Sequence, residues 1–263
     1  MDSDVQRGIE YARPDGAALL GDLYLPKEKG PHPVVVAVHG GGWQQGARES
    51  YRYWGPWLAS RGYALFAPSY RLSKPREPSY PAAVNDIRAA VQFVQGRAGA
   101  LGLDPARVGL MGDSAGAHLA AMVALAGGAN VKALVGVYGV YDLAAQWNHD
   151  ALSRPRDSIC EKFLGAGPMD DRRLYFEASP ISYAVTSANA VAVLLAWGTE
   201  DDIVDRATQS EAFLLALKQA RFYARSVVVQ GAGHFWNSDP IEEHDSYSGR
   251  LAPRVLRFFL EKL

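Results

Sequence analysis

Ser114 is the central residue of a Gly-x-Ser-x-Gly pentapeptide at positions 112–116, and a serine in that pattern can act as a nucleophile. The apolar run 107–111 precedes it, and a stretch rich in alanine and leucine, 117–126, follows it. This order predicts a strand, a sharp turn and a helix, with the serine on the turn. The start of that helix would offer unpaired N–H groups to a developing anion.

A serine hydroxyl becomes a good nucleophile only when a base removes its proton, and histidine is the usual base. His234 follows Gly231-Ala232-Gly233, small residues that allow a loop to approach Ser114 closely. His244, in an acidic run, is the alternative base. The remaining histidines are interpreted otherwise: His39 belongs to a glycine loop, His118 is a packing or loop-anchoring residue of the predicted helix, and His32 and His149 lie in polar segments.

Two further loops carry suitable residue types. His39-Gly40-Gly41-Gly42-Trp43 follows the apolar run 34–38, and three consecutive glycines favour a loop whose backbone approaches something closely. Gly198-Thr199-Glu200-Asp201-Asp202 follows the apolar run 191–197. An acid is needed to orient the imidazole, and the residue types leave Asp201, Asp202 and Asp205 open.

These loops must be held by a sheet. Apolar runs alternate with helix-like stretches from residue 34 onward, which predicts an α/β fold with a mostly parallel sheet and helices on both faces. Because ligands bind at the carboxyl ends of such strands, the four loops are expected to converge there. The predicted strands are 5–12 and 21–25 (an edge hairpin), 34–38, 63–68, 107–111, 131–137, 191–197 and 223–230; the predicted helices are 53–61, 81–95, 117–126, 206–220 and 250–263.

Residues 138–190 interrupt the alternation, being polar, aromatic and proline-containing. We interpret them as a cap inserted over the carboxyl edge of the sheet within a single domain of residues 1–263; a set of ordinary surface helices is the alternative. Three tryptophans near these loops are candidates for the walls of a substrate pocket, because aromatic rings supply apolar surface. They are Trp43, Trp147 and Trp236.

Composition excludes several classes of partner. The chain has 263 residues, 48% of them hydrophobic, and a formal net charge of -1 without any lysine or arginine block, which argues against a nucleic-acid or anionic-membrane partner. Cys160 is the only cysteine, so no intramolecular disulfide or cysteine metal cluster is expected. No cofactor or metal is predicted. The polar N-terminus and the lack of a long apolar run indicate a cytoplasmic protein, and a homodimer is compatible with the sequence.

The arrangement of these motifs resembles the α/β-hydrolase fold from about residue 20 onward. Residues 39–43 together with 112–116 resemble the hormone-sensitive-lipase-like esterases and the related acetyl-xylan and feruloyl esterases. Tyr70-Arg71-Leu72, Tyr80-Pro81-Ala82-Ala83 and Asp86 are similar to another segment of that group. Many of these esterases have a second glycine where this chain has Ala117, and residues 114–122 with Trp43-Gln44 are similar to kynurenine formamidases.

The resemblance implies a metal-independent serine hydrolase that cleaves carboxylic esters, and short-chain esters are the expected substrates. The acid would be Asp201, because Gly198, Asp201 and Val204 match the family's Gly-x-x-Asp-x-x-Val spacing. The backbone amides of Gly41, Gly42 and Ala115 would form the oxyanion hole. Two alternatives stay open: an arylformamidase using the same residues on an N-formyl bond, and a non-catalytic receptor that binds a ligand under its cap.

Overall fold

Eight strands form one sheet in the order β1-β2-β4-β3-β5-β6-β7-β8. The computed structural model describes residues 4–263. The strands are β1 Asp4–Ala12, β2 Leu19–Leu25, β3 His32–Val38, β4 Ala64–Pro68, β5 Leu103–Asp113, β6 Ala133–Val137, β7 Ala192–Gly198 and β8 Ala224–Val229. The helices are α1 Trp54–Ala59, α2 Ala82–Gly96, α3 Ala98–Leu101, α4 Ala115–Leu125, α5 Leu143–Ser153, α6 Ile159–Leu164, α7 Arg172–Glu177, α8 Ala212–Gln219 and α9 Tyr247–Lys262.

Strand direction matches the sequence-based prediction. β1 and β2 form an antiparallel hairpin at the edge, β2 pairs antiparallel with β4, and all other pairs are parallel. β5 begins earlier than predicted. Its register with β3 jumps from His32–Leu103 to Val34–Val108, and the carboxylate of Asp104 accepts a hydrogen bond from the amide of Ala106 inside the resulting irregularity.

Both faces of the sheet are covered, which explains the continuous apolar runs. Along β3, Val34, Val36 and Val38 pack into one core with α2 and α4, whereas Val35 and Ala37 pack into a second core with α1 and α9. Successive side chains of a strand point to opposite faces of the sheet. When both faces are buried, apolar residues are therefore favoured at every position of the strand.

All five helices differ from the predicted bounds, and α2 and α4 are shifted by only one or two residues. The last helix begins at Tyr247 rather than residue 250, because the Ser246 side chain accepts a hydrogen bond from the amide of Gly249 and caps it. The predicted helix 206–220 begins as a π-helical turn, Ala207–Glu211, before α8. The first predicted helix is shorter, as α1 spans only Trp54–Ala59.

Residues 138–190, the β6–β7 segment, contain α5, α6, α7 and two 3-10 turns. Each helix begins at a capping side chain: Asp142, Ser158 and Asp171 accept hydrogen bonds from amides three residues ahead. The segment leaves the sheet at the carboxyl end of β6, beside the loop that holds Ser114. In residues 4–263, the helices are all too short or too polar to cross a bilayer.

Candidate active site

Ser114 lies on the turn between β5 and α4 with a strained backbone, φ 51° and ψ −121°. Its amide donates a hydrogen bond to the carbonyl of Val137 at 2.9 Å. The turn is tight because α4 passes directly over β3: a Cβ on Gly116 would lie 2.0 Å from the carbonyl oxygen of Val38. The pentapeptide therefore forms the predicted strand–turn–helix, with only 8% of Ser114 exposed.

His234 connects the serine to an acid. Its Nε2 lies 3.0 Å from Oγ of Ser114, and its Nδ1 lies 2.7 Å from Oδ2 of Asp201. A carboxylate only accepts hydrogen bonds, so Nδ1 must carry the proton and Nε2 is left free to accept from the serine hydroxyl. This arrangement brings together three residues from three different loops.

The carboxylate of Asp201 is held in place by its own loop. Its Oδ1 accepts hydrogen bonds from the amides of Ile203 and Val204, each at 3.0 Å, which leaves Oδ2 directed at His234. The other two acids do not reach the histidine. Asp202 is exposed, and the carboxylate of Asp205 caps the amide of Thr208.

His244, the alternative base, lies on the surface. Its side chain is 99% exposed and pairs with Asp245. The side chain of His234 is only 2% exposed. Its ring centroid lies 4.5 Å from that of Tyr138 on one side and 4.5 Å from that of Phe235 on another. Packing therefore fixes the imidazole plane between Ser114 and Asp201.

The glycine loop follows β3 with three successive positive φ angles, 116° at Gly41, 59° at Gly42 and 59° at Trp43. The carbonyl of Gly41 accepts hydrogen bonds from the amides of Gln44 and Gln45 and so closes the turn. Within the described part of the chain, the amides of Gly41 and Gly42 donate to no protein acceptor. Ala115 is the first residue of α4, so its amide likewise has no acceptor within the helix.

Trp43 is fully buried and holds the glycine loop to its neighbours. Its indole stacks on Phe163 of α6 with centroids 4.4 Å apart, and its Nε1 donates to Nδ1 of His118 at 3.2 Å. On the other side of that ring, Nε2 of His118 lies 2.8 Å from the carbonyl of Ala178. His118 thus bridges the glycine loop and the β6–β7 segment, and burial lowers its pKa to about 4.

The other two tryptophans occupy different surroundings. Trp236 is 3% exposed and packs edge-on against Tyr138, whereas Trp147 is partly exposed and donates a hydrogen bond from Nε1 to Glu161. Since Trp43 and Trp236 are enclosed by protein side chains, their packing accounts for both of them. A role for any of the three in a substrate pocket stays a prediction.

Asp113 is a functional candidate that the sequence analysis missed. Its Oδ1 accepts a hydrogen bond from the hydroxyl of Tyr51 at 3.0 Å, and Nδ2 of Asn237 lies 3.4 Å away. Burial raises the pKa of this carboxyl to about 6, against the opposing effects of Tyr51 and His234. The only signal in the sequence was its place inside the pentapeptide, immediately before Ser114.

His39 begins the glycine loop, as expected, and its ring stacks on Tyr70 with centroids 4.4 Å apart. The Tyr70 hydroxyl donates a hydrogen bond to the carbonyl of His39. Burial lowers the pKa of His39 to about 4, so the imidazole is neutral near pH 7. Across residues 4–263 there is no group of three or more His, Cys, Asp or Glu side chains arranged to hold a metal ion.

Comparison with known proteins assigns the family. The BD-FAE family model matches residues 21–217, which include the glycine loop, Ser114 and Asp201. The chain belongs to the BD-FAE family. The match ends at residue 217, before His234. The assignment of the histidine loop therefore depends on the geometry described above.

The BD-FAE chain is similar to curated esterases. It is 32% identical over 225 residues to esterase LipQ of Mycobacterium tuberculosis (strain ATCC 25618 / H37Rv), covering 79% of this chain and 51% of that protein. It is 31% identical over 236 residues to a probable isoprenylcysteine alpha-carbonyl methylesterase, ICME, of Oryza sativa subsp. japonica, covering 81% and 54%. The chain spans about half the length of these relatives.

Solved structures share the fold of this BD-FAE chain. A truncated form of a carbohydrate esterase from gut microbiota superposes with a TM-score of 0.81 at 22% identity, covering 98% of this chain and 96% of that one. Carboxyl esterase 2 from the mycorrhizal fungus Tuber melanosporum superposes with a TM-score of 0.76 at 24% identity, covering 100% and 86%. The fold is the α/β-hydrolase fold, as expected.

Proposed function

We propose that this protein hydrolyses carboxylic esters of small molecules through an acyl-enzyme formed on Ser114. The observation that carries the proposal is the hydrogen-bonded series from Ser114 Oγ through His234 to Asp201, at 3.0 and 2.7 Å. A serine, a histidine and a carboxylate in this order perform nucleophilic acyl transfer on several unrelated folds, so geometry rather than fold supports the assignment.

In the proposed reaction, Oγ of Ser114 attacks the ester carbonyl while Nε2 of His234 takes the hydroxyl proton. Asp201 stabilises the imidazolium that forms. His234 then gives the proton to the departing alcohol oxygen, which leaves the acyl group on Ser114. A water molecule, deprotonated by the same Nε2, attacks this acyl group and releases the carboxylic acid and the free serine.

The oxyanion of each tetrahedral intermediate would be bound by the amides of Gly41, Gly42 and Ala115. Among residues 4–263 these amides have no acceptor, so they are free to meet a charge that develops during the reaction. Losing one such donor typically costs about 2.7–4 kcal/mol of transition-state stabilisation. Ala115 also begins α4, whose dipole places partial positive charge at the same point.

We further propose that residues 138–190 form a cap that borders the acyl or alcohol site. Contacts support this placement: Phe163 stacks on Trp43, and a Cβ on Gly42 would lie 3.8 Å from the side chain of Ile159. Of the three tryptophans predicted as pocket walls, only Trp147 lies within this segment, where it is partly exposed.

The names of the matched relatives favour esters over formamides, since they are described as an esterase and a methylesterase. An arylformamidase would use the same serine, histidine and acid. A ligand receptor, which needs no nucleophile, is not favoured by a complete hydrogen-bonded series. A short acyl chain, a cytoplasmic location and a homodimer stay predictions.

Hydrolysis rates test the proposal. We expect the purified protein to hydrolyse p-nitrophenyl acetate and butyrate, to act on N-formylkynurenine far more slowly, and to be labelled by a fluorophosphonate probe. The Ser114→Ala variant should show neither hydrolysis nor labelling. Labelling without any ester hydrolysis, or a strong preference for N-formylkynurenine, would exclude the ester assignment, and absence of labelling would favour a receptor.

A further inference from the structure

The carboxylate of Asp113 lies among hydrogen-bond donors from separate loops of the site. Tyr51, in the 3-10 turn after the glycine loop, donates its hydroxyl to Oδ1 at 3.0 Å. Asn237, three residues after His234, directs Nδ2 at the same oxygen at 3.4 Å. The backbone amide of Gly40 also interacts with the carboxylate. The Tyr51 hydroxyl also lies 3.2 Å from the carbonyl of Val38, so its single proton has two possible acceptors, whereas the amide groups of Asn237 and Gly40 can only donate. An ionised carboxylate suits these donors because it only accepts.

Gly40 and Asn237 also help to determine where the glycine loop and the histidine loop lie. Gly40 immediately precedes Gly41 and Gly42, whose amides are proposed to bind the oxyanion. The backbone of Asn237 donates to the hydroxyl of Tyr138, whose ring packs against His234, and the carbonyl of Asn237 accepts from Trp54 Nε1. A displacement of Gly40 or Asn237 would therefore move the oxyanion amides or the imidazole relative to Ser114.

We propose that Asp113 is a positioning residue, whose ionised carboxylate keeps the glycine loop and the histidine loop correctly placed relative to Ser114. The effect on rate rests on the proposed function. Protonation of the carboxyl would remove the charge that attracts these donors and so weaken their hydrogen bonds to it. The glycine and histidine loops would then lose a shared anchor while the hydrophobic cores stay intact.

Asp113 is expected to take up a proton within the pH range in which ester hydrolysis can be measured. The titratable groups that face Asp113 are the phenols of Tyr51, Tyr70 and Tyr138 and the imidazole of His234. Burial raises the pKa of the carboxyl to about 6, because the donors and His234 offset the cost of burial only in part. Proton uptake by Asp113 should therefore lower the activity as the pH falls through about 6.

The test is the acid limb of the pH profile for p-nitrophenyl acetate hydrolysis. In the wild type we expect the fall of log kcat/KM through about pH 6 to include one proton taken up by Asp113. Asp113→Asn keeps the shape but neither the charge nor the titration, so its slope should be smaller by one proton and its kcat at pH 8 should drop by about 10²-fold, as for a small misplacement of reacting groups. Its melting temperature at pH 8 is measured alongside, as the check that the variant is folded.

Asp104→Asn is the matched control, since Asp104 lies at the opposite end of the same strand, and it should keep the wild-type kcat and slope. A wild-type kcat or a wild-type slope in Asp113→Asn would overturn the inference. Should that variant fail to fold, Tyr51→Phe removes one donor and should shift one step of the acid limb to higher pH; an unshifted limb would equally overturn it.

A second measurement separates this inference from the proposed function. In the Ser114→Ala variant, which needs no activity, infrared spectroscopy should detect a protonated carboxyl band that grows as the pH falls through 6 and that is absent after Asp113→Asn. Failure of the wild type to hydrolyse any ester would reject the proposed function alone, whereas absence of that band would reject the titration of Asp113.

Discussion

Oδ2 of Asp201 lies 2.7 Å from Nδ1 of His234, and the two side chains are only 1% and 2% exposed. Thirty-three positions separate these residues in the chain, so the contact depends on the parallel pairing of β7 with β8. Water does not compete for this hydrogen bond, and the orientation of the imidazole is therefore fixed before any substrate arrives.

Ser114→Ala should lower kcat by about 10⁶-fold, because the attacking atom is lost while binding and the oxyanion amides remain. The measurement is p-nitrophenyl acetate hydrolysis with the variant at high concentration. The melting temperature provides the control and should be unchanged or slightly raised, since alanine is smaller than the serine and adds no contact on the turn. A tenfold decrease would contradict the assignment of the nucleophile.

Asp201→Asn should reduce kcat by about 10⁴-fold. The amides of Ile203 and Val204 would keep the oxygen of the new side chain at the Oδ1 position, so its NH₂ group would face His234. Nδ1 would then have to accept, the ring proton would move to Nε2, and Ser114 would lose its base. Asp202→Asn, in the next position and exposed, is the matched control and should change kcat by less than about threefold. The reverse ranking would transfer the role to Asp202.

Gly41→Ala and Gly42→Ala should differ in severity. A Cβ on Gly41 would lie 2.2 Å from the carbonyl oxygen of Gln45, whereas a Cβ on Gly42 would meet nothing nearer than 3.8 Å. The first variant must displace the loop and should lose at least about 10²-fold in kcat, the loss typical of one missing oxyanion donor. The second bears only the cost of a left-handed alanine, about 1–2 kcal/mol, and should keep more activity. Equal kcat values for the two would contradict this account of the loop.

Stability should fall as the pH decreases from about 6.5 to 4 through proton uptake by His118. Burial lowers the pKa of this histidine to about 4 in the folded state, while an unfolded histidine titrates at about 6.5. Between these values the unfolded chain gains a proton that the folded one does not, so the stabilising contribution is complete above pH 6.5 and declines below it, by about 3 kcal/mol.

His118→Gln tests this, because glutamine does not titrate. Urea midpoints at pH 7.5 and 4.5 should differ less in the variant than in the wild type. Asp113, whose pKa is raised, makes the folded protein more stable as the pH falls, and His39, whose pKa is lowered, makes it less stable, as His118 does. Both effects are present in the variant and in the wild type, so they cancel in the comparison. An equal pH dependence in variant and wild type would show that His118 is protonated in the folded state.

The fold followed from the sequence because its signals are local. The β-branched run Val34–Val38 is typical of a strand covered on both faces, which is what the structure has. The strand–turn–helix around Ser114 followed from an apolar run, a serine between glycines and a run of helix formers. The order of the loops along the chain then predicted which of them meet at the carboxyl edge. Helix starts were less accurate where a single side chain such as Ser246 sets the first residue.

The sequence by itself determined the α/β architecture and the set of loops from which a nucleophile, a base and an acid could come. Family resemblance favoured Asp201, and His234 was preferred to His244, but only the tertiary structure showed which side chains meet. It places Asp201 rather than Asp202 against His234, leaves His244 remote and brings Asp113 into contact with three loops. The physical reason is range. Hydrophobic periodicity extends over a few neighbouring residues, so it can be recognised in the sequence. A hydrogen bond between side chains needs its atoms within about 3 Å, and that distance depends on how strands and helices far apart in the chain pack together.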